Sequence, residues 1–174
     1  IFSQGGRFGG WSLYVENNKP SYTYNYMGEL FTFTSSKSLP SGKSEIRFEL
    51  DYDGGGTGKG ADVRLKLNGD VVAEGRLEKT IASRFSIDEG ADVGLDRGSA
   101  VTIQSIGPRR YSAYGGQIDK VTLEIYPKPS DAKIWLNWLV SLLIENGSFS
   151  LVNNSRSQKL NLINTSSVVL KSLS

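Results

Sequence analysis

Apolar and polar residues alternate with a period of two through most of the first 126 residues of this 174-residue chain, and that period constrains the fold more than any other feature. Ile46, Phe48, Leu50 and Tyr52 fall on one parity, and Glu45, Arg47, Glu49 and Asp51 on the other. Successive side chains of a strand point to opposite faces, so such a run predicts an antiparallel strand with one apolar and one wet face. Val63, Leu65 and Leu67 repeat the pattern against Arg64, Lys66 and Asn68, and Trp11, Leu13 and Val15 alternate with Ser12 and Tyr14. Tyr22, Tyr24 and Tyr26 make a further strand, Phe85 and Ile87 another. Val121, Leu123 and Ile125 give a last one before Pro127, which has no N–H to contribute to a ladder. Between the runs lie turn signals, the glycine-rich Asp53–Gly60 loop and the Asn68-Gly69-Asp70 hairpin turn, and no helical crossovers. Short strands spaced in this way predict an all-β fold, an antiparallel β-sandwich of jelly-roll type.

Twenty glycines, eight tyrosines and seven phenylalanines suit that reading. A chain of this length supports one core, burying roughly 70% of the surface that the unfolded chain exposes. Lysine and arginine number 20 against 18 aspartates and glutamates, with no basic run to follow a phosphate backbone, so nucleic acid is not expected as a partner. The absence of cysteine excludes disulfides, zinc-thiolate sites and cysteine nucleophiles. The absence of histidine removes the commonest general base and every Ser-His-Asp arrangement. Both absences argue against an enzyme. No charged region followed by an apolar one opens the sequence, so no signal peptide is visible in it.

The character changes after Pro127 and Pro129. Ser130 and Asp131 can cap a helix over about 131–145, in which Ile134, Trp135, Trp138, Leu139, Leu142 and Leu143 recur at three- and four-residue spacings before Asn146 and Gly147 end it. Its apolar stretch is far shorter than the ~20 residues needed to cross a bilayer, so no transmembrane segment is expected. The stripe of Trp135, Trp138 and Leu142 predicts docking on the sandwich or on a second copy of the chain. The serine- and asparagine-rich residues from Ser148 to Ser174 either add a strand or two near Leu160 to Leu170 or stay unstructured. The division is therefore a sandwich over 1–126 and an appended helix and tail over 127–174.

Chemistry-bearing motifs are few. The Asp53–Gly60 loop lacks the first glycine and the Ser or Thr after lysine that a phosphate-binding loop requires, and a strand follows it where a helix is needed. Asp88, Glu89, Asp92 and Asp96 cluster among glycines, and Asp119 shares the apolar parity of Val121 and Leu123. Calcium takes six to eight oxygen ligands, so Asp88, Asp92, Asp96 and Asp119 are candidates for a structural calcium, and no other cofactor is expected. Glu45, Glu49 and Asp51 share a strand face as the paired carboxylates of a glycosidase do, although a solvated face balanced by Arg47 explains them as well. A flat ring can stack on a sugar while nearby amides and cations take its hydroxyls. That chemistry singles out Trp11, Tyr14, Tyr26, Tyr111 and Tyr114, with Arg7, Asn25, Arg109, Arg110 and Gln117 as polar partners.

Four segments in register, GGRFGGWSLYVENNKPSYTYNY, FELDYDGGGTGKGADVRLKLNGDVVAEGRL, ADVGLDRG and YGGQIDKVTLEI, resemble the C-terminal domain of large bacterial arylsulfatases over residues 1 to 126. The resemblance implies a concanavalin A-like jelly roll, of the lectin and glucanase type, appended to a sulfatase catalytic domain. It implies periplasmic or secreted localisation, whereas an orphan domain would be cytoplasmic. The family's catalysis uses a formylglycine made within C/S-x-P-x-R. Here Ser38-Leu39-Pro40 continues into Ser41 and Gly42 without the arginine. The expectation is a noncatalytic accessory or interaction domain that packs on a sulfatase catalytic domain or on a second copy of itself. The alternatives are a carbohydrate-binding module, with sulfated glycans among its ligands, and a glycoside hydrolase.

Overall fold

A computed structural model describes residues 1–85, 89–102 and 113–125, and the strand at 166–173. Among the described residues ten strands are formed in chain order: β1 (Phe2–Gly6), β2 (Gly9–Glu16), β3 (Lys19–Tyr26), β4 (Glu29–Thr34), β5 (Ser44–Tyr52), β6 (Ala61–Leu67), β7 (Asp70–Leu77), β8 (Ala91–Val93), β9 (Gln117–Glu124) and β10 (Ser166–Leu173). No helix occurs among the described residues, and the helix expected at about 131–145 lies outside them. Phe85 stands in a bend instead of the expected strand, its ring edge-on to Tyr24 with centroids 6.0 Å apart, while Ile87 is outside the described residues. The tail does supply a strand, β10, beginning at Ser166.

The strands form two antiparallel five-stranded sheets, sheet A in the order β4-β3-β2-β1-β8 and sheet B in the order β7-β6-β5-β10-β9. Each sheet begins as a run of hairpins, to which later strands return beside the first member. In sheet A the meander β1–β4 is extended by β8 beside β1, and in sheet B the meander β5–β7 is extended by β10 beside β5. Local chemistry sets the hairpins. Asn17 and Asn18, Met27 and Gly28, and Asn68 and Gly69 all take positive φ, the conformation of the two-residue turns whose twist matches that of paired strands.

The predicted apolar parity of β5 and β6 is the buried one: Ile46, Phe48, Val63, Leu65 and Leu67 join Phe2, Trp11, Leu13, Tyr22 and Tyr24 of sheet A in a single core. A run of rings in sheet A ends in a contact with sheet B. Phe2 meets Trp11 edge-on at 5.1 Å, Trp11 stacks on Tyr22 at 6.0 Å, and Tyr22 lies parallel to Phe48 with centroids 3.5 Å apart. Fully burying each ring contributes about 1.5–3 kcal/mol.

Sheet A departs from the expected wet face. Ser3, Ser12, Tyr14, Ser21 and Thr23 lie on the parity opposite the core and are nevertheless buried. Three of their hydroxyls are paired within the sheet: Tyr14 meets Thr23 at 3.0 Å, Thr23 meets Thr32 of β4 at 2.8 Å, and Ser21 donates to Thr34 of β4 at 3.1 Å. Short hydroxyl side chains tolerate burial once hydrogen-bonded, so alternation alone reads them as exposed.

A second departure concerns Asp119. The register between β9 and β10 shifts, Lys171 pairing with Lys120 and Ser172 with Ile118, so Asp119 is the extra residue of a bulge. The bulge reverses the parity: Ile118 joins Val121 against the core, and Asp119 turns outward to Lys43, 3.3 Å away. The inward carboxylate expected from strict alternation does not form.

Candidate functional site

The two-residue turns β1–β2 and β3–β4 emerge at the same end of sheet A. Gly9 pairs with Tyr26, so Phe8 and Met27 stand at the next positions outward. Both are well exposed, at 66% and 70%, in contrast to the buried rings behind them. Arg7 places its guanidinium over the Phe8 ring, 4.8 Å from the centroid. Lys79 lies 4.4 Å from the centroid of the Tyr26 ring and pairs with Glu29 at 2.7 Å. The Glu29 hydrogen bond raises the Lys79 pKa above its ordinary value.

The polypeptide beneath this tip is tightly held. Gly6 lies so close to Ser99 that a methyl group there would fall within 3.0 Å of the Ser99 carbonyl oxygen and hydroxyl. Arg7 N–H donates to that carbonyl at 3.1 Å. The Ser99 N–H donates to Glu89 Oε1 at 2.8 Å. Asn25 is buried; its Nδ2 donates to the carbonyls of Arg7 at 3.0 Å and Val101 at 2.8 Å, and its Oδ1 accepts from Gly28 N–H at 2.7 Å. Its amide therefore stitches the turns together and is not an open polar partner for a ligand.

The sequence-derived candidates separate. Arg7 and Tyr26 are at the tip. Trp11 is corrected to a core residue, 6% exposed between Phe2 and Tyr22, and Tyr14 is likewise buried. Neither ring offers a face to a sugar. Tyr114 packs partly buried against the core and donates its N–H to Gly94 O at 2.7 Å. Gly94 in turn bonds to Ile1, at the end of β1 remote from Arg7. The structure therefore does not bring Tyr114 and Arg7 together. Arg109, Arg110, Tyr111, Trp135, Trp138 and Leu142 lie outside the described residues. Phe8, Met27 and Lys79 were not singled out by the sequence pattern. The signal was the spacing: Arg7-Phe8 between two glycine pairs leaves only those two residues at a hairpin tip.

The acidic candidates are held by internal partners. Asp92 accepts from the Arg97 Nε, Nη2 and backbone N–H at 2.9–3.0 Å, and buried Asp96 accepts from Val101 N–H at 3.3 Å. Asp119 takes Lys43 and Gln117. These three do not form a calcium donor set, and Asp88 lies outside the described residues. Among the described residues no three acidic, His or Cys side chains are placed to hold a metal ion.

On the proposed glycosidase face, Glu49 is buried against Lys66 at 2.8 Å and Arg47 at 4.0 Å, and Glu45 faces Arg47 at 3.6 Å. The Asp53–Gly60 loop is closed by Arg76, which bonds Asp53 at 2.5 Å and Asp62 at 3.1 Å, and by Tyr52, whose hydroxyl donates to Gly56 O at 2.6 Å. Those contacts give the loop a structural role.

Fold and tip define a class: an all-β protein of two antiparallel sheets sharing one core, with an aromatic and cationic hairpin end. No family model, curated protein or solved structure matches the chain. No helix of the described residues is long and apolar enough to cross a membrane.

Proposed function

We propose that this chain is a noncatalytic interaction domain, a β-sandwich of jelly-roll type, that docks on a partner through the hairpin end of sheet A. The observation carrying this reading is the pairing of exposed Phe8 and Met27 beside Arg7 and Lys79 on a rigid base. Exposed apolar side chains scattered singly need no explanation, whereas two at adjacent tips flanked by cations suit a contact surface. The jelly-roll type rests on the sequence resemblance, and the two antiparallel sheets are compatible with it. A noncatalytic role is supported by the missing histidine and cysteine and by the ion pairs that occupy Glu45, Glu49, Asp53 and Asp92.

The partner is a sulfatase catalytic domain, an assignment that rests on the four sequence motifs. Titrating the chain into a bacterial arylsulfatase catalytic domain lacking its own C-terminal region tests it by calorimetry. Binding that is lost in Phe8→Ser/Met27→Ser with an unchanged melting temperature supports the reading, and no heat of binding sinks it.

A second reading, a module for sulfated glycans, is favoured by the Arg7 guanidinium above Phe8. Arg7 has no carboxylate partner among the described residues, so its charge is available to an anion. A glycan array checks this: hits confined to sulfated glycans and abolished by Arg7→Ala support it, and an array without hits rejects it.

A further inference from the structure

β10 occupies an unusual place. It is the last described strand in chain order, yet it sits inside sheet B, hydrogen-bonded on one side to β5 and on the other to β9. Ser167 pairs with Glu124, so β9 and β10 are antiparallel neighbours that a two-residue turn could join. Residues 125–165 intervene instead. A tight turn would oblige β10 to pair with the β9 of its own chain, whereas a connection of that length imposes no such geometric requirement.

The slot is specific for what it holds. In register, Val168 stands opposite Phe48 on one side and Leu123 on the other, and Leu170 opposite Ile46 and Val121. Phe48, Ile46 and Leu123 belong to the buried core and Val121 packs against it, so the slot selects an apolar residue at each of these two positions. The octamer SSVVLKSL supplies both, contains no proline and is rich in strand formers. With β10 withdrawn, β5 and β9 would each present an open row of backbone donors and acceptors in mid-sheet, the condition under which sheets recruit a strand from elsewhere.

We infer that the slot between β5 and β9 is a strand-acceptor site whose alternative occupant is the 166–173 segment of a second copy of this chain. A second copy carries the identical octamer, and so the identical register complementarity. The result is a strand-exchanged dimer, in which each copy completes the other's sheet B with the contacts already present in the single chain. This inference concerns sheet B and is independent of the docking surface proposed at the end of sheet A.

The lack of cysteine makes the test clean, because any disulfide must come from an introduced pair. Val169 pairs with Thr122 on β9 and with Arg47 on β5, so the full-length variants Val169→Cys/Thr122→Cys and Val169→Cys/Arg47→Cys report the two edges separately. Each is unfolded, refolded at a series of concentrations, oxidised, and separated on a non-reducing gel. The expected result is an intrachain disulfide in dilute samples, with the linked-dimer fraction rising about tenfold for each roughly tenfold increase in refolding concentration while dimer is the minor species. Three results overturn the inference: intrachain disulfide alone at every concentration, no disulfide in either pair, or dimers by light scattering whose disulfides remain intrachain.

Discussion

Replacing Gly6 by alanine tests whether the glycine pairs around Arg7 are there for packing. The added methyl would meet the carbonyl oxygen and the hydroxyl of Ser99 inside 3.0 Å and the Glu89 Cγ at 3.2 Å. Ser99 cannot simply retreat, since its carbonyl accepts from Arg7 N–H at 3.1 Å and its N–H donates to Glu89 at 2.8 Å. Overpacking of this kind costs about 1–3 kcal/mol. Losing the Arg7 hydrogen bond adds about 0.5–1.5 kcal/mol. Restricting the unfolded chain returns only about 0.4–1 kcal/mol, so the steric terms win and the net loss is about 2 kcal/mol. With a urea slope of about 1–3 kcal/mol per molar, the unfolding midpoint falls by about 1 M. Gly115→Ala is the control, because a methyl added there meets no atom within 4 Å and its φ is not positive, so stability is unchanged or slightly raised. Ser99→Gly should rescue Gly6→Ala only slightly, since removing the hydroxyl leaves the carbonyl in place. Equal midpoints for Gly6→Ala and Gly115→Ala would refute the packing argument.

Further outcomes follow from the core and the turns. Burial raises the pKa of Tyr22 and Tyr24 and, less strongly, of Tyr14, so folding favours their neutral forms. Stability from these groups is complete below the ordinary tyrosine value of about 10 and is lost as pH climbs above it. An ultraviolet titration should show these phenols ionising only as circular dichroism reports unfolding; ionisation in the folded protein near the ordinary value contradicts the burial. Met27 holds φ 53° while 70% exposed, so Met27→Asn relieves left-handed strain without a packing loss. The expected gain is about 0.5–1 kcal/mol, read as a rise of about 1–4 °C in melting temperature, and a fall would show that Met27 packs on something. Glu49→Gln should cost about 1–3 kcal/mol in denaturant unfolding, because Lys66, 26% exposed at 2.8 Å, loses its counter-charge. No loss would mean that water screens the pair as it does at open surfaces.

The strands with long apolar side chains on one parity and long charged ones on the other, β5 and β6, were legible in sequence because only one burial of such a strand is affordable in free energy. The hydroxyl-bearing face of sheet A was not, since serine and threonine are at home both in water and in a hydrogen-bonded interior. At Asp119 a single bulged residue reversed the expected face, and nothing in the local pattern marks where a ladder skips a position. Phe85 reads as strand by type, yet its burial comes from an edge-on contact with Tyr24, a residue far away in sequence. For the site, sequence spacing pointed to Arg7 and Tyr26 but also to Trp11, because aromatic identity does not distinguish a ring in a stack from a ring at a tip. The interior position of β10 depends on pairing across more than half the chain, which no local window contains.

That position also sets an order on biosynthesis. β5 and β9 are translated before residues 166–173, and the slot between them has no occupant from the same chain until that segment has been made. Sheet A, apart from its short β8 edge, is complete by Thr34 and is built from nearest-neighbour hairpins, so it can form while the chain is still growing. Sheet B cannot close until β10 has been translated, at which point a late strand must enter between two that have been waiting for it. Codon choice or a pause between residues 125 and 165 would therefore lengthen the time for which a sticky edge is displayed, and the yield of folded protein should be sensitive to translation speed in that stretch and comparatively insensitive to it before Thr34.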